Sequence, residues 1–487
     1  MNEIKKEWFG NTKQDILSGM VVAIALIPEA IGFSIIAGVN PMMGLYASFC
    51  IAMITAFFGG RQGMISAATG AMALLLVNLV KDYGIEYMLA ATILTGIIQL
   101  ILGYLKIGNL LKFIPRPVMI GFVNALAILI FKAQLPYFQG ESIWIYALVA
   151  LGLLVIYLFP KINKTIPSPL IAIIAVTVLA SVLGIKTTTI GDIGNISSTL
   201  PKFLIPNVPV SLETLKIILP YSISLSIVGL VESLLTAQLL DDLTHTKSNK
   251  NRECMGQGVA NVVSGLFGGM AGCAMIGQSI INFKSGGRGR LSTFVAGLFL
   301  MILIILLNKF VVIIPIAALI SVMIVVSIST FDWESIKRLK MVPKTDSIVM
   351  ISTVVVVLFT HNLAFGVIVG VILSALFFAS KISEVHVEKF EKSDVVEYKV
   401  SGQLFFSSTT SFINHFSFEE KSKNINIDLS NVRIWDESAV DCIDKLVFRF
   451  RKNDNNVNLV GMSTKCKEII EQIGKHDKIE CLDSIGH

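Results

Sequence analysis

The segment GLFGGMAGCAMIGQSII, from Gly265 to Ile281, is apolar enough for a lipid bilayer but contains five glycines and no charge. Glycine weakens the interior of a helix, so this run does not predict one continuous spanning helix. Irregular backbone is tolerated at membrane depth only where it is buried in protein or lines a cavity. Two helix ends that meet there would direct backbone N–H groups and a positive dipole end at one point, which suits an anion. Interrupted segments in both halves of a chain are typical of transporter binding sites.

The composition of the 487-residue chain is that of a membrane protein. Its mean hydropathy is +0.73 and 15% of its residues are charged, whereas a soluble domain carries about 25% charged residues. Residues 1–14 are polar and lack the apolar core of a removable signal, so we expect them to form a cytoplasmic N-terminus. We attribute the net charge of +6 to membrane topology and predict no nucleic-acid partner. The cysteines show no metal-ligand spacing and are predicted to be packing residues; they are Cys50, Cys254, Cys273, Cys442, Cys466 and Cys481.

About fourteen apolar segments of spanning or near-spanning length can be placed along the chain. Their predicted bounds are 15–36, 42–59, 64–80, 86–105, 117–135, 142–160, 168–185, 215–240, 255–270, 273–283, 290–308, 311–330, 346–361 and 363–380. The third and tenth are too short to cross and predict half-helices. With the N-terminus inside, the cytoplasmic loops hold about sixteen Lys and Arg residues and the outer loops about six, as the positive-inside rule requires. We therefore expect a multi-pass protein of the cell membrane, in contact with lipid, with both termini cytoplasmic.

The chain divides into a transmembrane domain, residues 15–381, and a soluble domain, residues 384–487. Within the first, repeat one (15–185) and repeat two (215–381) flank an outer loop (186–214). In the soluble domain, alternating and buried apolar runs predict strands, and amphipathic runs predict helices. The predicted strands are Val395–Val400, Leu404–Phe406, Ile425–Ser430 and Val457–Met462, and the predicted helices are Ala439–Phe450 and Lys465–Ile473. This order indicates a small α/β domain.

Each half of the transmembrane domain carries a carboxylate in the middle of an apolar segment. Glu29 follows Pro28 in the first segment, and Glu232 lies at a comparable depth in the eighth. About forty residues after each carboxylate a glycine-containing half-helix begins, at Thr69-Gly70 and at 275–277. This is the pattern of an inverted repeat with a binding site at the repeat interface.

Insertion of a carboxylate at the bilayer midplane costs roughly 2.5–3.5 kcal/mol. A carboxylate found there is therefore expected to have a functional role. Glu29 could instead hydrogen-bond backbone beside the proline kink, and Glu232 could form a structural interhelical pair. Glu232 and Thr236 lie four residues apart and share a helix face. With backbone carbonyls they would make an all-oxygen site for a hard cation such as Na⁺. A protonatable Glu232 would serve H⁺ coupling equally well, and the sequence leaves both open.

The chain resembles SulP-type inorganic anion transporters, the sulfate and bicarbonate carriers, over nearly its whole length. The soluble domain resembles the STAS domain that closes these proteins. The stretches that carry the resemblance are DILSGMVVAIALIPEAIGFSIIAGVNPMMGLYAS (15–48), ATGAMALL (68–75), VGLVESLLTAQLLDDLT (228–244) and GGMAGCAMIGQSIINFKSGGRGRLS (268–292).

The resemblance implies a seven-plus-seven inverted repeat with core and gate subdomains, and a homodimer. It places a small inorganic anion between half-helices three and ten. The residues implied to frame the anion are Thr69, Gly70, Ala274, Met275 and Gly277, with Phe33 as a wall. In sodium-coupled bicarbonate members the counterparts of Glu232 and Thr236 help to hold Na⁺, here with Gly277 nearby.

Two positions depart from the family pattern. Met275 stands where sodium-coupled bicarbonate members can have a threonine, so one substrate hydroxyl is missing. Glu437 stands where stand-alone STAS proteins carry a phosphorylatable serine, so we expect no phosphorylation there. We predict that Ser438 starts a helix.

The leading hypothesis is secondary active transport of bicarbonate or sulfate, coupled to Na⁺ or H⁺, by relative movement of core and gate. A nucleobase permease would need polar side chains for base edges, which ATGAM and CAMIG do not supply. The alternative outside the transporters is a signalling protein in which the membrane domain anchors a STAS domain. No nucleophile–base pair, P-loop or metal cluster stands out, so neither an enzyme nor a cofactor beyond the coupling ion is predicted.

Overall fold

The computed structural model describes residues 2–109, 114–139, 142–163, 167–194, 199–392, 395–421 and 423–475. The chain forms two units that divide inside one helix, between Val371 and Ile372. The first is a helical membrane unit and the second contains a four-stranded sheet.

The first half of the membrane unit begins with a short helix, α1 (Asn2–Phe9), followed by seven apolar segments. These are α2 (Thr12–Ala37), α3 (Pro41–Phe58), β1 (Ser66–Ala68) with α4 (Gly70–Tyr83), α5 (Ile85–Tyr104), α6 (Arg116–Gln134), α7 (Ile143–Leu158) and α8 (Ser168–Val182). The turn between α2 and α3 follows from its residues. Gly38 ends α2 with a left-handed φ of 75°, and the Asn40 side chain accepts a hydrogen bond from the Met42 N–H at the start of α3.

The second half repeats this order after a short helix, α9 (Ile190–Ile193). Its elements are α10 (Leu212–Thr244), α11 (Lys250–Leu266), β2 (Gly272–Ala274) with α12 (Ile276–Lys284), α13 (Arg290–Val312), α14 (Ile316–Thr330), the short α15 (Trp333–Arg338), α16 (Lys344–Thr360) and α17 (Leu363–Ile382). Side chains cap the first two long helices: Ser211 accepts from the Thr214 N–H, and Asn249 accepts from the Arg252 N–H.

Nine helices among the described residues are long and apolar enough to cross a membrane by length and composition. By contrast, α4 and α12 have 14 and 9 residues. At a rise of about 1.5 Å per residue they are shorter than the roughly 30 Å hydrocarbon core. They are the half-helices predicted as the third and tenth segments, and the seven-plus-seven architecture is confirmed.

The two half-helices begin later than predicted because extended residues precede them. β1 and β2 pair antiparallel, with Ser66 opposite Ala274 and Ala68 opposite Gly272. Backbone N–H and C=O groups inside a bilayer must be satisfied within the protein. The extended residues of the two interrupted segments satisfy each other's backbone hydrogen bonds. The sequence of either segment alone does not indicate this pairing.

The helices pack in two groups, and each group draws on both halves of the chain. In the core group, α2 and α3 pack against α13, α3 and α5 pack against α11, and α4 and α12 pack against α10. In the gate group, α6, α7 and α8 pack against α14, and α6 also packs against α16. Interleaving of the two halves in this way is expected of an inverted repeat.

The second unit has the predicted α/β composition. Its elements are β3 (His386–Lys392), β4 (Val395–Leu404), α18 (Thr409–Asn414), β5 (Asn424–Ile434), α19 (Glu437–Arg451), β6 (Asn456–Val460) and α20 (Thr464–Ile473). The sheet order is β3-β4-β5-β6, in which β3 is antiparallel to β4 and the other pairs are parallel. Fully buried Tyr398, Phe412 and Phe450 lie at the centre of its core.

Four details of this unit differ from the predicted elements. The charged, exposed edge strand β3 and the short α18 were not predicted, since neither has a clear apolar period. The predicted strand Leu404–Phe406 is wrong beyond Leu404, because the Phe405 N–H turns to donate to the Ser408 hydroxyl. β6 ends at Val460 because Gly461 adopts a left-handed φ of 77°. Ser438 lies in the first turn of α19, whose N-cap is Asp436.

Candidate functional site

A cavity of about 130 Å³ lies where the core and gate helices meet. This is smaller than the roughly 300–1,000 Å³ pockets that hold drug-sized ligands, and it suits an ion of a few atoms. Its lining comes from α2, the starts of α4 and α12, α6, α10 and α14. The lining residues are Glu29, Phe33, Thr69, Gly70, Phe122, Val123, Leu126, Ile130, Glu232, Leu235, Met275, Ile276, Gly277, Gln278, Val326, Ser329 and Thr330.

The starts of both half-helices open onto this cavity. Thr69 is the N-cap of α4 and Met275 is the N-cap of α12, and neither helix has a side-chain cap. The first N–H groups of a helix have no partner within that helix, and the dipole is positive at this end. Two such ends at one cavity provide donors and partial positive charge for an anion. No Lys or Arg occurs among the described residues that line it.

The two glycines at the helix starts have different roles. A Cβ at Gly70 would lie 2.9 Å from both Phe33 and Ile130, so this glycine lets the Phe33 ring pack directly on the start of α4. A Cβ at Gly277 would meet no atom within 4 Å. Gly277 therefore borders empty space, and its missing side chain keeps the cavity open.

Glu232 reaches the cavity from α10 and is 9% exposed. Its Oε2 accepts a hydrogen bond from the Cys273 thiol at 2.8 Å. One residue further along, the Ser233 hydroxyl accepts from the Ala274 N–H at 3.1 Å. α10 thus holds β2 through two successive side chains and fixes the strand that leads into α12.

Thr236 and Ala274 lie behind the lining of the cavity. The Thr236 hydroxyl donates to the backbone carbonyl of Glu232 at 2.8 Å. Ala274 is buried against Met64, Ala237 and Leu240. The other predicted residues, Phe33, Thr69, Gly70, Met275, Gly277, Glu29 and Glu232, come together at the cavity.

A second carboxylate, Glu29, faces the same cavity from α2, with the Gln278 side chain beside it. Gln278 is 2% exposed, and its Oε1 has no hydrogen-bond partner among the residues that the structure describes. Two carboxylates and one open amide oxygen therefore share a small space with the two helix starts. The cavity offers oxygen ligands to a cation as well as donors to an anion.

Several site residues were missed by the sequence reasoning. Asn261 of α11 makes two hydrogen bonds to Gly272, the first residue of β2. Its Oδ1 accepts from the Gly272 N–H at 2.9 Å, and its Nδ2 donates to the Gly272 carbonyl at 3.0 Å. Gln257 donates to the Ser66 hydroxyl of β1 at 2.7 Å. The signal for them was available, because Glu253, Gln257 and Asn261 are spaced by four residues and lie on one face of α11.

Cys273 was predicted to be a packing residue. It is free and fully buried. Besides its bond to Glu232, its Sγ lies 3.1 Å from the Thr69 hydroxyl. Packing alone therefore does not describe this cysteine, which contacts two residues of the cavity lining.

Comparisons with known proteins cover both units. The sequence profile of the sulfate permease family matches residues 12–143 and 142–353, and the STAS domain profile matches residues 386–486. A putative sulfate transporter of Bacillus subtilis, YbaR, is 58% identical over 96% of this chain and 98% of its own length. The bicarbonate transporter BicA of a Picosynechococcus species is 27% identical over 80% of this chain and 74% of its own.

Solved structures match the same regions. The transmembrane domain of a cyanobacterial BicA covers 75% of this chain and 98% of that chain, with a TM-score of 0.66 and 26% identity. The murine anion transporter Slc26a9, in an inward-facing state, covers 96% of this chain and 88% of that chain, with a TM-score of 0.82. At 18% identity the second similarity concerns the fold alone.

Proposed function

Because this chain belongs to the sulfate permease family of anion transporters and carries a STAS domain, we propose that it is a secondary active transporter of bicarbonate or sulfate. The observation that carries this proposal is one small cavity onto which two half-helix starts and two carboxylates open. The anion binds to N–H groups at the starts of α4 and α12 and to the Thr69 hydroxyl. Without a Lys or Arg in the described lining, binding stays weak enough for release.

The carboxylates support coupling to a cation. An anion in a cavity of about 130 Å³ lies close to both Glu29 and Glu232. Like charges at such distances repel strongly where the dielectric constant is low. A proton or Na⁺ that neutralises Glu232 removes part of this repulsion, so cation and anion bind together. For Na⁺, the Glu232 carboxylate would be joined by the Thr236 hydroxyl and backbone near Gly277.

The position of the cavity supports alternating access. Its core side comes from α2, α4, α10 and α12, and its gate side from α6 and α14. Movement of one helix group relative to the other would expose the same ions first to one side of the membrane and then to the other. We place both termini in the cytoplasm because of the Lys and Arg distribution, and we propose a homodimer in the cell membrane, as the family resemblance implies.

Uptake of labelled bicarbonate and labelled sulfate into proteoliposomes tests this function. An inward Na⁺ gradient is imposed first and an H⁺ gradient second, with protein-free liposomes as the control. We expect concentrative uptake of one anion with one of the two gradients. Absence of flux for both anions under both gradients would contradict the proposal.

A further inference from the structure

A single thiol connects the two ion-binding parts of the cavity. Cys273 Sγ lies 2.8 Å from Glu232 Oε2 and 3.1 Å from Thr69 Oγ1. Glu232 and Thr69 both line the cavity, whereas Cys273 lies behind them and is fully buried. The three side chains come from α10, β2 and the start of α4, so the connection crosses between the two repeats.

The hydrogen-bond direction along this chain is fixed when Glu232 is ionised. A carboxylate only accepts hydrogen bonds, so the thiol hydrogen of Cys273 points to Glu232. The contact with Thr69 then requires the hydroxyl to donate to the sulfur. A hydroxyl has one hydrogen, so in this state Thr69 presents only oxygen lone pairs to the cavity, and these repel an anion.

The direction reverses when a cation occupies Glu232 Oε2. A proton on this oxygen is a donor that points to the sulfur, and the thiol hydrogen then turns to Thr69 Oγ1. A metal cation that takes over Glu232 Oε2 also releases the thiol hydrogen. In both cases the Thr69 hydroxyl hydrogen is free to point into the cavity and bind an anion.

We propose that Cys273 is a positioning residue that links cation binding at Glu232 Oε2 to the hydrogen-bond direction of the Thr69 hydroxyl. Cation binding at Glu232 thereby raises the affinity for the anion without contact between the two ions. This inference rests on the proposed function, because it requires that a cation and an anion are transported together.

Few other charged groups face Glu232. In the described lining, Glu29 from α2 is the other charged residue, while α4, α6, α12 and α14 contribute neutral side chains. α5 contributes the neutral Gln99, which bonds to Asn261. The Glu253 carboxylate of α11 instead accepts hydrogen bonds from the backbone N–H groups of Gly60 and Arg61. Glu29 stays unchanged in Cys273 variants, so its titration affects all of them equally.

The test is the KM for the transported anion in proteoliposomes, measured with and without the driving cation and across pH. In the wild-type protein we expect the cation to lower KM by about tenfold, since a hydrogen bond to a charged group contributes at least that much. In Cys273→Val, which has no polar hydrogen, the change should be several-fold smaller, because only the relief of the charge repulsion by Glu232 remains. Cys273→Ala is the second apolar variant, should the valine variant not fold.

Cys273→Ser provides the rescue, because its hydroxyl can donate and accept in the same directions. It should retain the wild-type dependence on cation and pH, which a purely structural role for the thiol would not require. Cys50→Ala, at another buried free cysteine, is the matched control and should behave as wild type.

The outcomes separate the two proposals. If the wild-type KM responds to the cation and the KM of Cys273→Val or Cys273→Ala responds equally, the link through Cys273 is wrong while coupled transport stands. Loss of the response in Cys273→Ser would also overturn the link. If the wild-type KM responds to neither Na⁺ nor H⁺, coupling fails and the link fails with it.

Discussion

A side chain added at Gly277 should fill part of the cavity. Nothing lies within 4 Å of a Cβ built there, so a larger residue would fold normally and fill the space that the anion needs. We expect Gly277→Val to abolish uptake and Gly277→Ala to raise KM with a smaller loss. Both variants should elute as folded protein on size-exclusion chromatography.

Unchanged anion affinity in Gly277→Val would mean that the binding site lies elsewhere. Gly70 is the informative contrast, because a Cβ there would collide with Phe33 and Ile130. We expect Gly70→Ala to lower stability as well as uptake.

At the scale of single residues, the sequence led to seven of the seventeen residues that line the cavity. Glu29 and Glu232 stand out because carboxylates are costly in apolar segments, and the glycines stand out because they interrupt helices. Cys273 could not be assigned in this way. A buried cysteine is ordinarily a small apolar residue, and its two polar partners lie 41 and 204 residues away in the chain.

Among the elements, the β1–β2 pair determines where both half-helices start. Asn261 holds this pair through both backbone groups of Gly272 and also donates to Gln99. We expect Asn261→Ala to destabilise the protein by about 1–3 kcal/mol for each buried polar group left without a partner. Thermal unfolding in detergent, with uptake measured in parallel, checks this prediction.

The matched control lies on the same helix. Asn251 has a buried Oδ1 without a hydrogen-bond partner in the described part of the chain, so Asn251→Ala should cost much less stability than Asn261→Ala. Equal losses of stability in the two variants would show that α11 is sensitive to any side-chain truncation, and not specifically to loss of the Asn261 hydrogen bonds to β2.

The helices were largely predictable because apolar length is a strong signal. The paired strands were not, since three-residue strands have no period of their own and each exists because the other is opposite. The edge strand β3 was missed for a related reason: His386–Lys392 is exposed and charged, and its pairing with β4 defines it.

For the whole molecule, the second unit should fold without the membrane unit, because it contains its own core around Tyr398, Phe412 and Phe450. A fragment of residues 384–487 should unfold cooperatively in urea. It contains Tyr398 as its single tyrosine, so tyrosinate absorbance reports on that one phenol.

Burial, and then the neighbouring Glu420, raise the pKa of Tyr398. Its hydroxyl donates to Glu420 Oε1 at 3.1 Å. An unfolded tyrosine titrates near pH 10. Because the folded pKa is the higher one, this group contributes stability that is present below about pH 10 and is lost as the pH rises.

The titration of the fragment should therefore show tyrosinate forming well above pH 10 when folded, and near pH 10 in denaturant. In Tyr398→Phe the loss of stability above pH 10 should be smaller. A folded fragment whose tyrosine titrates near pH 10 would contradict the buried position of Tyr398.

We propose that Glu232 couples a cation to anion transport through the cavity. Gradient-driven uptake and anion exchange, measured side by side in proteoliposomes for the wild type and for Glu232→Gln, test this coupling. The amide is nearly the same size and can donate to the Cys273 sulfur, but it carries no charge and takes up no proton. We predict that Glu232→Gln retains exchange and loses gradient-driven uptake. Gradient-driven uptake at the wild-type rate in Glu232→Gln would contradict a coupling role for Glu232.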